Sequence, residues 1–111
     1  MEWRLPDPSC NIYAALAGVL QAGLHGIDSA IAQPEPCNED LYIRQASGQP
    51  MPARLPKNLE EAIDALQADS VLRSAVGEAF CGQWIALKRA EWDSYAQHVS
   101  AWEMQRYADA F

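Results

Sequence analysis

The sequence predicts a mainly α fold: one short N-terminal strand, then about five helices, with a long irregular loop near residues 33–57. Three observations carry this prediction. Apolar residues recur every three or four positions over most of the chain. Asn, Asp and Ser stand at cap positions ahead of those runs. Alternating, strand-type placement is confined to the first few residues, where Glu2 and Arg4 fall on one face and Trp3 and Leu5 on the other.

Taken in order, the opening strand holds a carboxylate and a guanidinium side by side, an arrangement that suits a cation and an anion held together, as phosphoryl transfer requires. Pro6-Asp7-Pro8 turns the chain into a first helix, about Asn11 to Ala30, capped by Asn11. Ile12, Leu16, Val19, Leu20, Leu24, Ile27 and Ile31 recur at helical spacing, and Ala14, Ala15, Gly18, Ala22 and Gly26 form a second, small-residue stripe. Glycine inside a helix costs about 1 kcal/mol against alanine. The stripe therefore predicts close neighbours on more than one side.

Gln33-Pro34-Glu35-Pro36 ends this helix, because proline disfavours the helical conformation in the residue before it. No period holds from Cys37 to Lys57, where Gly48, Pro50, Pro52 and Pro56 punctuate the chain. Asn58 then caps a helix buried through Leu59, Ala62, Ile63 and Leu66, with Glu61 reaching back. Asp69 or Ser70 restarts a short helix that Gly77 closes with a left-handed residue. A long helix follows, about Glu78 to His98, with Phe80, Trp84, Leu87, Glu91 and Tyr95 on one side and Ile85, Lys88 and Trp92 beside them. Ser100 and Glu103 form a capping box for the last helix, with Val99 and Met104 at staple positions. Trp84, Trp92, Trp102 and Tyr107 read as core or subunit-interface anchors.

A chain of 111 residues is one domain or part of one. Its net charge of -7, with eight scattered basic residues, offers no cluster to neutralise phosphates and argues against nucleic-acid binding. Cys10, Cys37 and Cys81 match no zinc spacing and read as buried or inert thiols in a reducing cytoplasm. No basic region followed by an apolar core marks a signal peptide. The apolar stretch from Ile12 to Ala32 is interrupted by Gln21, His25 and Asp28 and reads as a buried helix, not a membrane span. His25 and His98 lack metal-spaced partners, and His25 suits a helix C-terminus through the dipole.

Glu2-Trp3-Arg4-Leu5-Pro6-Asp7-Pro8-Ser9-Cys10-Asn11-Ile12-Tyr13 resembles the E-x-R-x-P-D-P-(S/A)-x-N-P-Y signature of the glutamine synthetase family. The run from Ala22 to Ile27, Pro34-Glu35-Pro36, Asp40-Leu41-Tyr42 and the helix from Leu59 to Leu66 follow in that family's order. Ile85 to Trp92 and Val99 to Glu103 resemble the closing helices of type III members. Ile12 departs from the family's proline and His25 from its aspartate.

The resemblance implies that residues 1–111 are the C-terminal segment of an α+β glutamine synthetase-type catalytic domain, without its N-terminal β-grasp domain and most of its catalytic domain. It implies ATP as co-substrate, two divalent metals, Mg²⁺ or Mn²⁺, and a γ-glutamyl phosphate intermediate that ammonia or an amine displaces. Glu2 matches the family's metal-binding carboxylate and Arg4 the arginine that contacts the phosphoryl group; the chemistry agrees, since hard oxygen suits Mg²⁺ and a planar guanidinium suits phosphoryl oxygens. A cytoplasmic, ring-shaped homo-oligomer with no nucleic-acid or membrane partner is the implied parent, and the isolated chain is expected to be inactive. The alternatives are a free-standing helical interaction module or part of a γ-glutamyl-methylamide or γ-glutamyl-putrescine synthetase.

Overall fold

The computed structural model describes residues 5–36 and 38–108. They form six helices and, among the described residues, no strand. The expected N-terminal strand lies outside the described residues except for Leu5. Two compact units divide the chain, Met1–Pro56 and Lys57–Phe111.

The first unit holds α1 (Ile12–Asp28) and α2 (Leu41–Ala46). The Asn11 side chain caps α1 by accepting from the Tyr13 and Ala14 N–H groups at 3.1 Å each. The helix stops short of the prolines expected to end it. Ala30 adopts φ +47, and the Ile31 and Ala30 N–H groups bond back to the Gly26 and Ile27 carbonyls at 3.0 and 3.1 Å. That is a Schellman closure built on alanine, a residue that pays a steric penalty in the left-handed region.

The α2 helix corrects the loop expected to be irregular throughout residues 33–57. Six residues are too few to show a period, but both ends carry local signals. The Asp40 carboxylate accepts from Tyr42 N–H at 2.8 Å. Gly48, at φ +69, closes the far end with the same pair of back-bonds as Ala30, from Gly48 to Gln45 and from Gln49 to Arg44. Arg44 fastens the loop around it, donating from Nε to the Pro50 carbonyl at 2.7 Å and pairing with Glu39 at 3.0 Å.

No residue of α1 is buried. Ile12, Leu16, Leu20, Leu24 and Ile27 all stand exposed, Ile27 at 76%. The close neighbours that the small-residue stripe predicts are absent among the described residues: a Cβ added at Gly18 or Gly26 would meet nothing within 4 Å.

The second unit packs α3 (Leu59–Ala68), α4 (Ser70–Val76) and α5 (Glu78–Ala96) against one another; α6 (Ala101–Tyr107) follows. Asn58 caps α3 by accepting from Glu61 N–H, and the Glu61 carboxylate accepts in return from Lys57 N–H, one residue earlier than a strict capping box. Asp69 ends α3 and caps α4 through Leu72 N–H at 2.8 Å. Gly77, at φ +122 and ψ +116, breaks α4 from α5 in a region that side chains disfavour. It is left-handed in φ as expected, without the helical ψ of a usual αL cap.

Ile63 and Cys81 form the buried core, at 4% and 2% exposure. Their neighbours on α5 show which face turns inward: Trp84, Ile85, Lys88, Arg89 and Trp92 are half-buried. Leu87 and Tyr95, expected beside Trp84, are exposed, whereas Phe80 stacks on the Trp84 ring with centroids 5.9 Å apart, as a shared face expects. Arg89 ties α5 to α3 through Asp64 at 2.8 Å and Gln67 at 3.1 Å. Arg73 donates to the Gln67 carbonyl at 2.7 Å and from a terminal guanidinium nitrogen to Glu78 at 3.5 Å, while its Nε lies 3.2 Å from the same carboxylate without hydrogen-bond alignment. Such partly exposed pairs are each worth about 0–1 kcal/mol, so apolar contact holds these helices together. Of the thiols, Cys81 is buried and Cys10 is exposed, both free, and Cys37 lies outside the described residues.

Candidate functional site

Glu2 and Arg4, the two site residues expected from sequence, lie outside the described residues. What is described is the segment that follows them and joins them to α1. Asp7 folds it: its carboxylate accepts from the Ser9 hydroxyl at 2.6 Å and the Ser9 N–H at 2.7 Å, while its carbonyl accepts from Cys10 N–H at 3.0 Å. These bonds, the hydroxyl's first and the backbone's second, hold the Asp7 carboxyl below its ordinary value. Asn11 takes over two residues later as the helix cap. Pro6-Asp7-Pro8-Ser9 is thus an Asx-type turn with fixed φ at both prolines, a stiff joint between the opening residues and the first helix.

The described residues add no second cluster to this segment. Among them no group of three or more His, Cys, Asp and Glu side chains could hold a metal ion. His25 sits in the last turn of α1 with Nδ1 3.2 Å from the Ser29 hydroxyl. His98 bonds through its backbone to Tyr95 at the end of α5. The aromatics expected as anchors divide: Trp84 and Trp92 are half-buried on α5, whereas Trp102 and Tyr107 are exposed and meet edge to face at 6.1 Å. One shallow groove of about 80 Å³ runs between α3 and α5, lined by Leu59, Ile63, Leu66, Trp84, Ile85 and Lys88. Its polar edge is Lys88, whose ammonium lies 5.2 Å over the Trp84 ring and 2.6 Å from Glu91. The groove is apolar apart from this ion pair at its edge. No helix among the described residues is long and apolar enough to cross a membrane.

Residues 1–107 match the family described as glutamine synthetase, catalytic domain. The chain belongs to the glutamine synthetase family. It is 38% identical to a glutamine synthetase of Thermotoga maritima over 96% of its own length and 25% of that protein's. A glutamate–methylamine ligase of Methyloversatilis universalis is 42% identical over the whole chain and 25% of its own length. In three dimensions the chain resembles the structure titled apo GmaS without ligand, with a TM-score of 0.81 and 36% identity over 96% of this chain and 24% of that one. The chain therefore spans about a quarter of the length of the curated relatives it matches. That resemblance bears out the mainly helical class, since the described helices superpose on part of a chain four times longer.

The family implies divalent metals, and the described residues can be tested for them. They hold no donor cluster, and Glu2, which lies outside them, would supply one ligand by itself. Two metals need several carboxylate or imidazole donors. The described residues do not fit that role alone.

Proposed function

We propose that this chain forms the C-terminal part of the catalytic domain of an ATP-dependent ligase that joins glutamate to ammonia or an amine. The family match across residues 1–107 carries this reading. In the reaction, a γ-carboxylate oxygen of glutamate takes the terminal phosphoryl group of ATP and ADP leaves. The nitrogen then attacks the acyl carbon, phosphate departs, and a proton is lost as the amide forms. Arg4 is proposed to meet the phosphoryl oxygens with its guanidinium, where a planar pair of donors matches two oxygens. Glu2 is proposed as one ligand of a divalent metal, and the parent enzyme as a cytoplasmic ring-shaped homo-oligomer.

Two structural observations support a part over a free-standing module. The apolar side of α1 is exposed along its length, and a domain this size normally buries its largest apolar helix. The described residues also gather no three His, Cys, Asp or Glu side chains that could hold a metal ion. The module reading rests on α3 to α5, which pack with a core of their own. Ammonia, methylamine and putrescine are the candidate nitrogen donors: the methylamine ligase is 42% identical, and so is a glutamine synthetase of Halobacterium salinarum. Ammonia is the first choice, from the likeness of the closing helices.

The test compares the 111-residue chain alone with the same chain replacing the matched quarter of the Thermotoga maritima glutamine synthetase. Phosphate release dependent on ATP and glutamate is measured with ammonia, methylamine and putrescine. The chain alone is expected to be inactive and the hybrid active, with Glu2→Ala raising the Mg²⁺ concentration needed. Activity of the isolated chain would contradict the part reading, and a folded but inactive hybrid the ligase reading.

A further inference from the structure

We draw no further inference here: the strongest candidate, the exposed apolar face of α1 built from Ile12, Leu16, Leu20, Leu24 and Ile27, already serves the proposed function, and nothing in the structure shows what covers it.

Discussion

Ile63 is the residue on which the packing of α3 against α5 can be measured. It is 4% exposed and faces Trp84 and Ile85 across the groove. Ile63→Ala removes three carbons from this contact, about 2.4 kcal/mol at roughly 0.8 kcal/mol per buried carbon. A closed void would add to that loss, but the site opens into the groove of about 80 Å³, so little new enclosed cavity forms. The expected cost is therefore about 2–3 kcal/mol, the low end of the range for such truncations. Small domains are marginal, so this is a large share of their stability. Urea unfolding of the full chain, followed by far-ultraviolet circular dichroism, reads the effect. With a slope of about 1 kcal/mol per molar, the midpoint of the second unit should fall by about 2 M or more. Leu87→Ala on the outer side of α5 is the control: Leu87 is 60% exposed, and its truncation should cost under about 0.5 kcal/mol. Equal shifts for the two variants would refute the assignment of the α5 inner face.

Ala30→Gly relieves a left-handed alanine at the end of α1 and should stabilise that closure by up to about 1 kcal/mol, the steric gain less glycine's entropy. Amide exchange at Ile31, which bonds to Gly26, should slow; faster exchange would contradict the closure. Acid should loosen α6, because the Ser100 backbone N–H and then its hydroxyl hold the Glu103 carboxyl below its ordinary value of 4.5. A depressed carboxyl contributes its stabilisation above that ordinary value and loses it as pH falls through the folded-state value. Carboxyl chemical shifts of Glu103 and the helicity of residues 101–107 should change together below about pH 4.5, and Glu103→Gln should remove that step. A titration at the unperturbed value would mean that the capping box does not form.

The helix starts were legible because their causes are local. Asn11, Asn58, Asp69 and Ser100 each cap the helix expected of them, since a side-chain acceptor two or three residues before a free N–H acts whatever packs nearby. Local signals also flanked α2, at Asp40 and Gly48, but six residues carry no readable period. Ala30 was illegible for a different reason: alanine does not advertise a left-handed conformation, so the visible prolines took the blame for a stop made earlier in the chain. The face of α5 that turns inward depends on α3 and α4, and periodicity alone grouped the exposed Leu87 and Tyr95 with half-buried Trp84. The candidate site, Glu2 and Arg4, lies outside the described residues and rests on likeness alone. Two charges at positions 2 and 4 would otherwise be an ordinary chain end, and they gain meaning from the order of everything after them.

Turnover of the hybrid enzyme with and without Arg4→Ala tests the central claim most directly. If Arg4 meets the phosphoryl group in flight, its loss should cut kcat by about 10²–10³-fold, the effect of removing one donor aimed at developing charge. The KM for glutamate should change much less, since the contact belongs to the transition state more than to substrate binding. An active, folded hybrid whose kcat is unchanged by Arg4→Ala would contradict the account.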